Sequence, residues 1–93
     1  MKAYLVNKTL APKRLVLSGQ VLGQDQETLS MKVERESVAE WGFLVPTNIY
    51  QLEFEEEETK KRTFTDIIVN SFSVEALDEL NFLLILLYSP LVG

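Results

Sequence analysis

The stretch NFLLILLYSPLVG, residues 81–93, decides the fold because it holds the longest uninterrupted apolar run of the chain, Phe82 to Tyr88. The element that carries this run must find cover for it. Just upstream, Ser73 precedes VEALDEL, whose acids fall where the dipole of a helix favours negative charge. We therefore expect a C-terminal helix over residues 74–88 that ends at Pro90.

This expected helix has one apolar stripe at helical spacing, which suits the core of the subunit. The stripe comprises Leu77, Leu80, Leu84, Leu87 and Tyr88. Phe82, Ile85 and Leu86 point away from it, and burying each is worth ~1.5–3 kcal/mol. We expect these three residues to form the interface of a homo-oligomer.

Two other roles for the same helix stay open. The helix can plug an open barrel or sandwich between two sheet faces, so that the subunit covers its own apolar run. It can also lie on a membrane surface, although the segment lacks the Lys and Arg residues that flank such helices.

Alternating apolar residues predict a hairpin in the first third of the chain. Residues 14–22 form one strand, in which Gly19 indicates a bend or bulge. A turn at residues 23–26 leads to a second strand that alternates cleanly over residues 28–34. Its inward positions are Leu29, Met31 and Val33. A short strand over residues 3–6 precedes this hairpin.

The middle of the chain predicts one short helix and a second hairpin. Ser37 and Glu40 have the spacing of a capping box, which predicts a helix near 37–41 that carries Trp41 over the end of a sheet. Strands at residues 49–54 and 63–72 follow, and a highly charged tip joins them. In the first of these strands, one face is expected to carry Tyr50, Leu52 and Phe54.

Together these elements predict a single domain over residues 1–93. Its class is α+β: a strongly bent antiparallel sheet of about five strands, barrel-like, with the short helix near 37–41 and the C-terminal helix over 74–88.

Composition excludes much enzyme chemistry. The chain has no cysteine and no histidine, which removes thiolate sites, zinc sites and the usual nucleophile pairs. It also lacks the glycine-rich phosphate loops GxxxxGK[ST] and GxGxxG. We expect no catalytic residue, no metal and no cofactor.

Charge is distributed unevenly along the chain. The net charge is −5, yet the first 22 residues carry four bases and no acid. This acidic balance argues against general binding of nucleic acid. The aromatics Trp41, Tyr50, Phe54 and Phe64 have acidic neighbours, so we expect them in the core and not on a base-stacking platform.

We expect a non-enzymatic, self-associating interaction protein, a small adaptor or inhibitor that binds another protein through acidic surface. The candidate partner contacts are Glu55, Glu56, Glu57 and Glu58. The alternative is an oligomeric ligand-binding barrel with an anion or nucleotide-type pocket between subunits. Its candidate anion contacts are Arg14, Lys32 and Arg35.

The apolar stretches are short for membrane or export signals. The one at the N-terminus is too short for a signal peptide, and residues 82–88 fall far below the roughly 20 needed to span a bilayer. We therefore expect a soluble cytoplasmic protein with no membrane partner.

Overall fold

A computed structural model describes residues 1–9, 14–78 and 81–91, except for the side chain of Gln24. Its elements are β1 (Lys2–Asn7), β2 (Leu15–Gln24), β3 (Thr28–Val33), a 3₁₀ helix (Arg35–Phe43), β4 (Ile49–Glu55), β5 (Arg62–Asp78) and β6 (Asn81–Pro90). All strand pairs are antiparallel, and the strands close a barrel in the order β1-β2-β3-β6-β5-β4.

The barrel consists of two three-stranded meanders. The first is β1-β2-β3 and the second is β4-β5-β6, and the 3₁₀ helix lies in the chain between them. Pairing of β1 with β4 and of β3 with β6 closes the sheet on itself. Both hairpins predicted from alternation are confirmed, and so is the barrel-like antiparallel sheet. The barrel has six strands where about five were expected, and the fold is mostly β, so the expected α+β class is not confirmed.

The C-terminal helix over 74–88 is not what the chain forms. Residues 74–78 belong to β5 and residues 81–90 form β6, which pairs with β3 on one side and β5 on the other. Ser73, expected as a helix cap, lies opposite Ile85 inside the β5–β6 ladder. An apolar run of this length fits a strand with two apolar faces as well as a helix, and here tertiary pairing selects the strand.

The core fills the inside of the barrel, and alternation along each strand supplies it. The inward positions expected on β3 are confirmed as buried, and so are Tyr50 and Leu52 on β4. From β6 the buried residues are Leu84, Leu86 and Tyr88. Leu80 of the expected helical stripe lies outside the described residues, while Leu77 and Leu87 are exposed.

The bulges of the barrel lie elsewhere than Gly19. The β1–β2 register is regular through Gly19. The β2–β3 register begins at Gly19 and shifts at Leu22, and β5 carries shifts at Asn70 and Leu77. Gly19 has a different reason to be glycine. A Cβ atom there would collide with the backbone carbonyl of Lys32, so the two strands approach closely only without a side chain.

The 3₁₀ helix is longer than the sequence predicts, and Ser37 does not cap it. No side chain caps its first residues. Instead, the Ser37 hydroxyl is buried and accepts a hydrogen bond of 3.1 Å from the Ser18 amide on β2. Trp41 is partly buried, and its ring meets that of Phe82 edge-on with the centroids 4.9 Å apart.

Strand β5 is long and changes partner along its length. Residues 62–68 pair with β4, whereas residues 67–78 pair with β6. The edge of residues 71–77 that faces away from β6 pairs with no other strand in the described part of the chain. Within that same part, no helix is both long enough and apolar enough to cross a membrane.

Candidate functional site

Strand β6 is apolar on both of its faces. Side chains alternate along a strand, so Leu84, Leu86 and Tyr88 point into the barrel and the residues between them point out. Leu86 was expected at an oligomer interface, but its side chain is 0% exposed and belongs to the core of its own subunit. The expectation rested on helical geometry, which places Leu86 beside Ile85.

Phe82 also finds cover within its own chain. It lies between Val33 and Ala76 in the sheet register, on the inner side of β6. Its edge-on contact with Trp41 joins the 3₁₀ helix to the start of β6. Of the three residues expected at the interface, Ile85 is therefore the one that faces outward.

Three aliphatic residues form the outer face of β6, and we call them the β6 outer stripe: Leu83, Ile85 and Leu87. Leu83 and Ile85 are partly exposed, and Leu87 is 41% exposed. No described element packs over this face. Sequence reasoning named Ile85 but missed Leu83 and Leu87 as its companions, because every residue from 82 to 88 is apolar or aromatic and no alternation marks the outer positions.

The β6 outer stripe is flanked by the residues of β3 and β5 that pair with it. The flanking pairs are Thr28 and Ser71 for Leu87, Ser30 and Ser73 for Ile85, and Lys32 and Glu75 for Leu83. Two of the three rows carry only short hydroxyl side chains, so the aliphatic side chains extend beyond their flanks. The third row places a base on one side and an acid on the other.

The two charges of that third row are available for a partner. Lys32 and Glu75 are both exposed. Neither forms a salt bridge within the described residues. One strand, β6, separates them, so they flank the stripe without meeting each other.

The three bases expected to meet an anion lie on different parts of the fold. Arg14 lines a groove on the outer side of β1 and β2, Lys32 lies on the outer face of β3, and Arg35 begins the 3₁₀ helix. The groove measures about 170 Å³. It is lined by Tyr4, Val6, Arg14, Val16, Glu53 and Arg62.

Arg62 organises the charged side of this groove. Its guanidinium nitrogens lie 2.8 Å from Glu53 Oε1 and 3.0 Å from Glu55 Oε2, two shielded carboxylate oxygens on the outer face of β4. The same guanidinium lies 6.0 Å from the centre of the Tyr4 ring, and the Lys2 ammonium lies 5.9 Å from it. Sequence reasoning missed both Tyr4 and Arg62, because their meeting depends on the closure between β1 and β4.

A second ion pair extends this charged surface to the end of β3. The Lys2 ammonium lies 3.0 Å from Glu34 Oε1, and the Ser18 hydroxyl donates to Glu34 Oε2 over 2.9 Å. Hydrogen bonds from Lys2 and Ser18 together hold the pKa of Glu34 below its ordinary value. The hydrogen bond to Glu34 in turn raises the pKa of the Lys2 ammonium.

The acidic residues at the hairpin tip are not equivalent. Glu55 ends β4 and is paired with Arg62, while the other three are exposed in the turn. In that turn the Thr59 hydroxyl donates to Glu56 Oε2 at 3.2 Å. Only Glu56, Glu57 and Glu58 therefore remain as solvent-facing candidates for contact with another protein.

Neither a metal centre nor a relative points to a specific chemistry. Among the described residues, no group of three or more acidic, histidine or cysteine side chains is placed to hold a metal ion. Comparison with protein-family models, curated proteins and solved structures gives no match. The candidate sites thus rest on the geometry of this chain alone.

Proposed function

We propose that this chain is a non-enzymatic interaction protein that associates with itself through the β6 outer stripe. The observation that supports this most is the row of three outward aliphatic side chains on one strand, with no described element over them. Removing apolar surface from water is worth roughly 25 cal/mol per Å². A covered stripe is accordingly more stable than one left in solvent.

A second copy of the chain is the occupant to which we commit. A two-fold pairing needs only one surface patch, used twice. The flanks of the stripe carry opposite charges, Lys32 on the β3 side and Glu75 on the β5 side, so two copies of this face can complement each other. A partner with a uniformly charged surface would have to repel one of the two flanks.

The non-enzymatic part of the proposal rests on composition and on pairing. The chain has no histidine or cysteine to act as a base or nucleophile near neutral pH. Glu53 and Glu55, the most shielded carboxylates, are held by Arg62. A cytoplasmic location and a second protein that binds the exposed tip at Glu56–Glu58 complete the proposal.

The test is sedimentation equilibrium over a wide range of protein concentration. The wild-type chain is expected to associate, and Ile85→Thr, which keeps a β-branched side chain, is expected to be a folded monomer by circular dichroism. The matched control is Phe64→Thr. Phe64, which was expected in the core, is instead 56% exposed on the outer face of β5, in the half that pairs with β4. Its loss therefore removes exposed apolar surface away from the stripe.

The outcomes separate clearly. Dissociation by Ile85→Thr with unchanged association of Phe64→Thr supports the proposal. A wild-type chain that stays monomeric throughout, or equal effects of the two variants, rejects it.

A second candidate function is binding of a small organic anion in the Tyr4 groove. The observation in its favour is that Arg14 lines the groove without a salt bridge to any described residue, beside the apolar Val6 and Val16. Arginine recognises carboxylate and phosphate through paired donors. The groove lies within one subunit, which differs from the pocket between subunits expected from the sequence.

Calorimetric titration with benzoate and with inorganic phosphate tests this second function. Benzoate is expected to bind better, since its ring can lie on the valine floor, and Arg14→Gln should abolish binding. Arg35→Gln removes one positive charge on the 3₁₀ helix and serves as the control that should bind normally. No heat from either anion, or equal loss in both variants, excludes the groove as an anion site.

A further inference from the structure

We infer that the two copies pair about a two-fold axis parallel to β6, so that Lys32 of each copy faces Glu75 of the other. This inference rests on the proposed self-association and adds its orientation. It follows from the register across three strands, in which Lys32, Leu83 and Glu75 share one row. That row lies at one end of the β6 outer stripe.

Two identical outward faces can meet in only a few symmetric ways. A two-fold rotation that turns one outward face against another must have its axis in the plane between them. If that axis runs along β6, each row keeps its position along the strand direction, and the β3 and β5 sides of the row exchange places. The β3 side of one copy then lies over the β5 side of the other. In the charged row, this places Lys32 over Glu75 twice, once on each side of the axis.

The other simple choice is an axis across the strands. Such an axis keeps the β3 side over the β3 side but reverses the order of the rows along the strand. The row of Leu83 then lies over the row of Leu87. Lys32 would then lie over Thr28, and Glu75 over Ser71. Four charged side chains of the pair would be placed at the interface without an opposite charge. Charge complementarity therefore favours the axis along β6.

Distance allows the predicted pairs. Packed sheet faces lie ~10 Å apart, and the outer faces of barrels curve away from each other at the flanks. Lys and Glu are long enough to meet across such a gap, whereas the serines and threonines of the other rows leave room for the aliphatic side chains. Exposed charge pairs of this kind set orientation more than affinity.

The edge of β5 at residues 71–77, which pairs with no other strand in the described part of the chain, offers a competing arrangement. Two copies could join there edge to edge and extend the sheet. Lys32 lies on β3, beyond β6 from that edge, and takes no part in such a pairing. Reversing the charge of Lys32 therefore distinguishes the two arrangements.

The experiment uses the full chain with Lys32→Glu, Glu75→Lys and the double variant. In each single variant, both predicted pairs become like-charge contacts, and we expect roughly tenfold weaker self-association at low salt. Mixing the two single variants restores both pairs in the mixed dimer, which should form in preference to either homodimer. The double variant carries the exchanged pair and should associate as the wild type does. These differences should shrink at high salt.

The failures of the inference and of the proposed function are distinguishable. If Ile85→Thr dissociates the protein but the two charge variants associate normally and show no preference for each other, the axis is wrong and the self-association stands. If Ile85→Thr has no effect, the proposed surface itself is wrong. Weakening by each charge reversal with recovery in the mixture supports the inference.

Discussion

The outer faces of β4 and β6 lie on the same barrel but differ in chemistry: the first is charged and the second is aliphatic. On β4 the outward residues include Glu53 and Glu55, and Arg62 from the neighbouring strand holds both carboxylates. On β6 the outward residues are the aliphatic side chains of the β6 outer stripe, and no described element covers them. On β4 the carboxylates are ion-paired within the chain, whereas on β6 the proposed second copy would cover the aliphatic side chains.

This difference explains where interaction is expected. Carboxylates that already have an ion-pair partner inside the chain, as Glu53 and Glu55 have in Arg62, gain little from a second protein. Aliphatic side chains gain only by being covered. The surface for association is therefore assigned to β6, even though the charged hairpin is the more conspicuous feature of the sequence.

The largest expected effect is a difference in stability between substitutions on the two faces of β6. Leu86→Ala opens a cavity in the barrel core and should lower the free energy of unfolding by about 2–5 kcal/mol. Ile85→Ala, one residue away on the outer face, should cost clearly less at a protein concentration low enough to keep the chain monomeric. Urea denaturation measures both. Equal losses would mean that β6 does not alternate as described.

The next effect concerns the close approach of β2 and β3. Gly19→Ala forces a Cβ atom against the Lys32 carbonyl, and we expect a loss of about 1–3 kcal/mol in the free energy of unfolding. Gly23→Ala on the same strand is the control, because no atom lies within 4 Å of its added Cβ. Thermal melts of the two variants should differ by several degrees. Similar melting temperatures would contradict the close contact.

A smaller effect tests the charged side of the comparison. Arg62→Gln leaves the carboxylates of Glu53 and Glu55 without their partner, and we expect a loss of about 1–2 kcal/mol. Lys61→Gln removes the same charge from the exposed turn and should change stability by less than ~0.5 kcal/mol. Self-association should be the same in both variants. A change in association upon loss of Arg62 would move the interface toward β4.

The smallest effect is a pH dependence in the same charged region. Because the pKa of Glu34 is lowered in the folded state, its ion pair contributes stability above the ordinary carboxyl pKa of 4.5. That contribution is lost as the pH falls through the folded pKa. Glu34→Gln should therefore be less stable than the wild type near neutral pH and converge with it in acid. A stability difference that is constant with pH would contradict this role.

The sequence predicted the parts of the fold whose outer face is polar. In β3 and β4, hydrophilic residues alternate with core residues. This two-residue period identified both strands and their inward positions correctly. In β6 the outer positions are as apolar as the inner ones, and the alternation disappears. The acids before it resemble the start of a helix, so the sequence predicted a helix. The chain forms a strand instead, because β6 pairs with β3 and β5, and no local pattern reveals those pairings.

The candidate sites show the same limit. Ile85 was found because it is apolar, but its companions Leu83 and Leu87 required the strand geometry. Arg62 and Tyr4 are 58 positions apart in the chain and meet only through barrel closure. Arg14, Lys32 and Arg35 were grouped by charge alone, and they lie on different parts of the fold. Contacts between distant strands need the register, which composition and periodicity do not supply.

The most direct test of the central assignment is a dilution series followed by amide NMR. We predict concentration-dependent shifts at Leu83, Ile85 and Leu87 and at the flanking Lys32 and Glu75, with constant shifts at Tyr4 on the charged side. Shifts that stay constant along β6 at every concentration, or that change only along the β5 edge at residues 71–77, would contradict the assignment of the β6 outer stripe as the surface of self-association.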